Sequence, residues 1–230
     1  RNMIFNGIDI EIERKPIKNL HLAVYPPDGR VHISVPIDYD DERIRMYILQ
    51  KWIWIEEKRE MLLSYNRLPE RQYISGETHY FKGTKYRLKV NRHTSGAYSV
   101  HIDGDYIVVD VHQDTSSDNI RQTLYSWYKT QTLPIFGRLV LKWQEILGVV
   151  PARWEVRQMT SRWGSCSQSK GVLLFNIELA KKSIECIEYV VAHEMTHLIE
   201  RNHTDRFRRQ MDIHLSSWQK IRTKLNEYPI

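Results

Sequence analysis

The sequence has few of the features that mark secreted or membrane-spanning proteins. Its 230 residues include only two cysteines, Cys166 and Cys186, whose spacing matches neither a zinc ribbon nor a thioredoxin-type pair. No apolar run approaches the roughly 20 residues that cross a bilayer. The first residues also lack the apolar core and cleavage site of a signal peptide. We therefore expect a cytoplasmic protein with reduced thiols and no membrane partner.

Glycine and proline are sparse as well, with 10 and 8 residues, and no internal repeat or low-complexity segment is present. The composition, 41% hydrophobic and 27% charged, is ordinary for a globular protein. A chain of this length can bury a sizeable core, in one large domain or in two small ones. The order of strand and helix patterns must decide between these architectures.

Acidic residues are outnumbered, and the net charge is +6. Seven basic residues follow residue 200, against only two aspartates before the last helix: Arg201, Arg206, Arg208, Arg209, Lys220, Arg222 and Lys224. Such a C-terminal surface would attract nucleic acid or acidic partners. The alternative is a solvated helical surface that is merely basic. Nucleic acid is thus a candidate partner, and charge alone does not select it.

Alternating apolar and polar residues predict a β-rich N-terminal region, residues 1–115, that contains one helix. The predicted strands are residues 8–13, 20–25, 31–35, 78–81, 85–90, 98–102 and 106–109. Helical apolar spacing separates the third strand from the fourth, beginning at Asp40 or Asp41 and ending at about Ser64.

From about Ser116 the spacing becomes helical, which predicts a second region, residues 116–230. One helical stretch should end near Gly148, and short strands are predicted at 154–157 and 172–176. Further helices should begin at the caps Ser183 and Thr204 and near Leu215. Strands followed by helices favour an α+β fold, with a β-rich region before a helix-dominated chemical region that holds a small sheet.

The run His193-Glu194-Met195-Thr196-His197 is the most informative motif of the chain. Two histidines four residues apart project from one face of a helix and can bind a single metal ion. The apolar stripe of the same helix should face elsewhere and be buried. Its members are Ile184, Ile187, Val191, Met195 and Leu198. Glu194 lies beside the first imidazole and can accept a proton from an activated water. The motif therefore predicts a hydrolytic zinc site.

The third ligand should come from the chain just after this helix. We favour His203, because imidazole suits zinc and the preceding Asn202 tolerates the left-handed backbone that reverses a chain. Glu200, one helical turn after His197, is the rival ligand. Three protein ligands would leave a fourth position open, which is typical of catalytic zinc.

A loop between the two C-terminal strands, Arg162-Trp163-Gly164-Ser165, is a candidate substrate-binding segment. Glycine permits close backbone approach, and the arginine and tryptophan offer charge and bulk. The loop would form one side of a binding cleft, and the edge of the following strand would pair with an extended peptide. The alternative is a tight turn with a buried tryptophan. Cys166 is not expected to be a nucleophile, because nothing in the sequence marks an activating partner.

These motifs together resemble the YgjP-like zinc metallopeptidase family, which is related to the SprT-like proteases. The resemblance is carried by residues 162–167, Phe175-Asn176, Leu179, residues 189–194, His197-Leu198, Asn202-His203-Thr204 and Phe207. It implies a zincin-type catalytic domain with one Zn²⁺ on His193, His197 and His203 and with Glu194 as general base. It also implies a substrate-side role for the tryptophan-glycine loop.

Three functions are consistent with the sequence. The leading hypothesis is a zinc-dependent peptidase that acts on a protein or peptide substrate. The second is a metal-dependent nucleoside triphosphate pyrophosphohydrolase, which fits the basic surface but lacks a glycine-rich phosphate-binding loop. The third is a DNA-associated protease or nucleic-acid-binding module, although no recognised DNA-reading motif is visible.

Overall fold

The computed structural model describes residues 2–25, 28–66, 71–160 and 162–227. The chain forms two compact units, Arg1–Glu70 and Arg71–Ile230. Strands precede helices in the order expected, so the α+β fold class is confirmed. The division at residue 70 differs from the predicted one at residue 115, and it places residues 71–115 in the second unit. A catalytic domain limited to residues 116–230 remains a prediction.

The first unit contains one four-stranded sheet and two helices. Its elements are β1 (Asn2–Phe5), β2 (Ile8–Lys15), β3 (His21–Tyr25), β4 (Arg30–Pro36), α1 (Asp41–Gln50) and α2 (Trp52–Asn66). The strand order is β1-β2-β4-β3, in which only β2 and β4 are parallel. Strand β1 was not predicted, because four residues are too short to establish an alternation.

The single helix predicted for this unit is two helices that meet at Lys51. Asp40 caps α1 as expected, because its carboxylate accepts a hydrogen bond of 2.8 Å from the N–H of Arg43. At Lys51 the backbone leaves the helical conformation, with φ −99° and ψ 4°. Ile48 and Ile55, on either side of the break, are both fully buried. The apolar spacing continues through the break and therefore does not reveal it.

The second unit begins with a four-stranded sheet that packs on a long helix. The elements are β5 (Thr78–Phe81), β6 (Thr84–His93), β7 (Ser99–Asp103), β8 (Tyr106–His112) and α3 (Ser117–Leu147). The sheet has the order β5-β6-β8-β7. Leu88 and Ile107 of the sheet share a hydrophobic core with Leu124 and Tyr128 of α3. This shared core is the reason that residues 71–115 belong to the second unit.

Helix α3 runs without interruption through Pro134. The Ser116 side chain caps it by accepting a hydrogen bond from the N–H of Asn119, and Gly148 ends it with φ +64°. Both ends agree with the prediction. The helix presents its buried face, including Phe136 and Trp143, to the core of the second unit.

A three-stranded sheet, three α-helices and two short 3₁₀ helices complete the second unit. The strands and α-helices are β9 (Arg153–Arg157), β10 (Gly164–Ser167), β11 (Val172–Asn176), α4 (Ile184–Thr196), α5 (Asp205–His214) and α6 (Trp218–Asn226). The 3₁₀ helices are Gln168–Lys170 and Ile177–Lys181. The sheet order is β10-β11-β9, with β11 parallel to β9 and antiparallel to β10. The predicted loop is therefore partly a strand. Strand β10 lies at the edge of the sheet, and β11 lies in its centre. The expectation that the following strand, now β11, would offer an edge to a substrate is therefore wrong.

Helix α4 is buried on most of its surface. Ile187, Val191 and Met195 are fully buried, as their spacing predicts. The prediction was wrong for Ile184, which is 46% exposed because it is the first residue of the helix. Ser183 occupies the N-cap position without a side-chain hydrogen bond to the helix backbone.

Neither cysteine is part of a disulfide, and Cys186 is buried while Cys166 is half-buried. Among the helices of the described residues, none combines the length and apolar character required to cross a membrane.

The packing between α3 and the three-stranded sheet yields a stability prediction. Phe136 is fully buried and stacks on Phe175 with ring centroids 5.0 Å apart. Phe136→Ala should lower the free energy of unfolding by about 3–5 kcal/mol, because it leaves a cavity. Leu141→Ala, on an exposed face of the same helix, should change it by less than about 0.5 kcal/mol. Equal effects of the two variants in urea denaturation would contradict this packing.

Candidate active site

Three imidazoles converge at the end of α4. His193 lies in the last turn of the helix, His197 is its C-cap, and His203 lies just before α5. The Nε2 atom of His193 is 3.2 Å from Nε2 of His197 and 3.0 Å from Nε2 of His203. The structure therefore brings together the three histidines that the sequence singled out.

The spacing of the imidazole cluster and the lowered pKa values of two of its members suit a zinc ion. Two nitrogens bound tetrahedrally to zinc at 2.0–2.1 Å are about 3.3 Å apart, close to the separations found here. Burial, followed by the charges of His197 and His203, lowers the pKa of His193 to about 3. Burial also lowers the pKa of His203. Neutral imidazole is the form that binds metal, so these donors fit the ion.

The chain between His197 and His203 turns without a left-handed residue. The N–H of Leu198 donates to the carbonyl of Met195, and the N–H of Ile199 donates to that of Thr196. Among the described non-glycine residues, only Asn6, Tyr73 and Lys82 have positive φ. The left-handed conformation expected at Asn202 is therefore wrong. Helix α4 ends instead by tightening its last hydrogen bonds, already at Thr196.

Glu200, the rival ligand, contributes its backbone to the site. Its carbonyl is 3.0 Å from Nδ1 of His197, a contact that can orient a ligating imidazole. The donor atoms that lie within 4.8 Å of one another belong to His193, His197 and His203, and no carboxylate of the described residues joins them.

Unlike Nδ1 of His197, Nδ1 of His193 is buried without a hydrogen-bond partner among the described residues. Such a group destabilises the fold by about 1–3 kcal/mol.

Phe207 supports all three imidazoles. Its ring centroid is 5.0 Å from that of His193, 4.7 Å from that of His197 and 4.9 Å from that of His203. Thr204 caps α5 by accepting a hydrogen bond from the N–H of Phe207, which fixes the start of the helix. We did not assign a site role to Phe207 from the sequence. Its position three residues after the predicted cap was the available signal.

Glu194 is buried between α4 and β10. Burial raises the pKa of its carboxyl group to about 8, and the charge of Arg162 opposes this shift. A Cβ atom on Gly164 would lie 2.8 Å from Cγ and 2.9 Å from Oε1 of Glu194. Only glycine fits at this position without a shift of the strand or the carboxylate.

Two asparagines, whose hydrogen bonds to it were not predicted, hold the candidate substrate-binding segment in place. The side chain of Asn176 donates to the carbonyls of Met159 and Arg162, at 3.0 and 2.8 Å. The indole N–H of Trp163 donates to Oδ1 of Asn226 on α6, at 3.1 Å. The indole ring of Trp163 is therefore held in place by α6. These partners lie 14 to 63 residues away along the chain, beyond the reach of local patterns.

Two clefts adjoin the imidazole cluster, and both are lined by Gly164, Glu194 and His203. The first, of about 470 Å³, extends between α5 and α6. The second, of about 760 Å³, extends along β10 past Ser165. An extended chain that occupied both clefts would pass directly over the imidazole cluster.

Burial raises the pKa of Cys166, in the second cleft, to about 11. This agrees with the expectation that it is no nucleophile.

The family model of the YgjP-like metallopeptidase domain matches residues 18–228. The chain belongs to the YgjP-like metallopeptidase family. It is accordingly a peptidase, and hence a hydrolase, as the resemblance implied. The family match covers nearly the whole chain, including all of the site residues above.

Solved structures with some similarity are two metallopeptidase zymogens. Abylysin of Pyrococcus abyssi is 19% identical, with a TM-score of 0.37, over 41% of this chain and 99% of its own. Jannalysin of Methanocaldococcus jannaschii is 19% identical, with a TM-score of 0.36, over 39% of this chain and 86% of its own. No protein of curated function matches the sequence.

The contact between Gly164 and Glu194 predicts the effect of a single methyl group. Gly164→Ala should displace the carboxylate and lower kcat/KM by about 100-fold, while the imidazoles still bind metal. Gly137→Ala is the matched control, because its Cβ would meet only Trp154, at an ordinary 3.8 Å. Peptidase kinetics together with metal content test the pair. Unchanged kinetics in Gly164→Ala would show that the close approach is not required.

The raised pKa of Glu194 predicts a pH-dependent stability of the metal-free protein. Between the ordinary value of 4.5 and the folded value of about 8, the folded state binds more protons than the unfolded state. Stability contributed by this residue is therefore lost as the pH rises through that interval. Glu194→Gln carries no such charge, so its advantage over the parental protein should grow by about 2–4 kcal/mol from pH 5 to pH 9. The shift would be refuted if the free energies of unfolding of the two proteins, measured by urea denaturation, had the same dependence on pH.

Proposed function

We propose that this peptidase is zinc-dependent, with the ion held by His193, His197 and His203 and with Glu194 as general base. The convergence of the three Nε2 atoms beside a buried carboxylate is the observation that carries the proposal. Zinc at this position would lower the pKa of a water molecule toward about 7 and polarise the scissile carbonyl.

Glu194 is suited to move a proton in the reaction. In the metal-free protein, burial raises the pKa of its carboxyl group to about 8, and the positive charge of a bound zinc ion would favour the ionised form. That carboxylate could accept a proton from the attacking water at Oε1 or Oε2 and return it to the amine that leaves. Its contact with Gly164 limits the positions that the carboxylate can adopt.

We propose that the substrate is an extended segment of a protein or peptide that lies along β10. This strand is at the edge of its sheet, so its outer backbone groups can pair with a substrate strand. Arg162, Trp163, Gly164 and Ser165 would form the substrate-binding wall at this edge. Gly164 and Ser165 would contribute backbone groups, and Trp163 would contribute its fixed ring.

The pyrophosphohydrolase and nucleic-acid hypotheses rely on the basic residues of the C-terminal surface. Three of these, Arg201, Arg208 and Arg222, line the clefts at the imidazole cluster. Lys224 pairs with Glu185. This distribution favours a role for the positive charge in binding substrate at the site. Nucleic-acid binding and the cytoplasmic location remain predictions.

Two substitutions separate metal binding from catalysis. Glu194→Gln should retain about one zinc per chain and lose 10²- to 10⁴-fold in kcat, because it removes the proton acceptor. His203→Ala should lose zinc, because it removes a ligand. His112→Ala, at the end of β8, is the matched histidine control and should change neither quantity. Elemental analysis and cleavage of a broad peptide library provide the readouts.

Release of phosphate or pyrophosphate from nucleotides is assayed in the same preparations. Parental cleavage rates in Glu194→Gln would reject the general base. Nucleotide hydrolysis that depends on Glu194, without peptide cleavage, would replace the peptide substrate by a nucleotide.

A further inference from the structure

The charged lining of the cleft between α5 and α6 is mainly positive. Its charged side chains, apart from the site residues His193, Glu194 and His203, are Arg208 and Arg222. The carboxylate in this lining is Glu194, which is buried against β10. We call this first cleft the arginine cleft.

The two guanidinium groups come from different helices, and no buried ion pair with the described residues holds either of them. Arg208, in the first turn of α5, is 3.3 Å from Asp205, but both side chains are largely exposed. Such a pair is screened by solvent and contributes little, so a ligand can replace it. Arg222, on α6, forms no ion pair with the described residues. Opposite a bound ligand, the two cations can act together.

The remaining lining of the arginine cleft is mainly aromatic and apolar. It includes Trp163, Tyr189, Trp218 and Leu225, and all of these except Trp163 are buried. Tyr189 and Trp218 stack with their planes 4° apart. A wall of this kind lowers the local dielectric constant and strengthens a contact between a cation and an anion. Guanidinium groups recognise carboxylates in particular, because they can donate two parallel hydrogen bonds.

We infer that the arginine cleft binds a carboxylate group of the substrate, through Arg208 and Arg222. The inference rests on the proposed function, since it places this carboxylate next to the peptide bond held at the imidazole cluster. His203 and Glu194 line the same cleft, so the carboxylate belongs to a residue close to the scissile bond. It is either the side chain of Asp or Glu or the C-terminal carboxylate of the peptide.

Three peptides of equal length distinguish these two sources. The first has a glutamate after the central bond and a C-terminal amide, the second has glutamine and a C-terminal amide, and the third has glutamine and a free C-terminus. Their dissociation constants are measured with zinc-loaded Glu194→Gln protein, so that binding is observed without cleavage. The fluorescence of Trp163 and Trp218, which line the cleft, reports on binding.

At least one of the carboxylate peptides should bind about tenfold more tightly than the neutral one, as expected for charge-assisted hydrogen bonds. A preference for the first peptide assigns the cleft to an acidic side chain, and a preference for the third assigns it to the C-terminus. Arg208→Gln and Arg222→Gln, each added to the Glu194→Gln protein, should reduce the preference, and both together should abolish it. Arg209→Gln, on the same helix as Arg208 but outside both clefts, should preserve it.

Equal affinity for all three peptides would overturn the inference. So would a carboxylate preference that persists in the double arginine variant, because another group would then bind the carboxylate. Cleavage by the parental protein is measured on the same peptides. Cleavage of the peptide library by the parental protein and its loss in Glu194→Gln test the proposed function separately, and the ratio of dissociation constants decides the inference on its own.

Discussion

The close approach of α4 to β10 is the constraint on which the rest of the site depends. It requires glycine at position 164, where a Cβ would come within 3.0 Å of both Val190 and Glu194. The approach buries the Glu194 carboxyl group, raises its pKa and places the outer edge of the sheet beside the imidazoles. One backbone contact thus determines the burial and the acidity of Glu194, the residue that we propose as general base.

The site is assembled from elements that a stable core holds rigid. Nine residues of α4 are buried, including Ile187 and Met195, so the helix cannot rotate to move His193 or Glu194. Two groups nevertheless destabilise the fold. They are the buried Glu194 carboxyl and Nδ1 of His193, which has no hydrogen-bond partner within the described ranges. Both effects are expected at a reactive site, because groups required for function often lower the stability of the fold. Phe207 fills the space beneath the three imidazoles and keeps them together.

Local patterns predicted most elements and the imidazole cluster of this protein. Alternation located β2, β5 and β8, and helical spacing with its caps located both ends of α3, because these signals depend on neighbours along the chain. The histidine motif identified its own cluster because four residues make one helical turn. His203 required more, since its position depends on how the chain turns after α4.

The remaining features depend on contacts between distant residues. The unit boundary at residue 70 follows from the packing of the β5–β8 sheet on α3, which no local pattern contains. The edge position of β10 depends on its pairing with β11. The turn before His203 uses tightened helical hydrogen bonds in place of the expected left-handed Asn202. The arginine cleft depends on α5 and α6 lying on either side of it, a tertiary arrangement that the charge count did not predict.

Zinc K-edge X-ray absorption of the zinc-loaded protein tests the central claim most directly. The proposed site predicts a first shell of nitrogen and oxygen atoms at about 2.0–2.1 Å with the outer-shell scattering of three imidazoles. A sulfur neighbour at about 2.3 Å would contradict it, because a cysteine would then be a ligand. Scattering from fewer than three imidazoles would contradict it as well, because His203 would then lie outside the site.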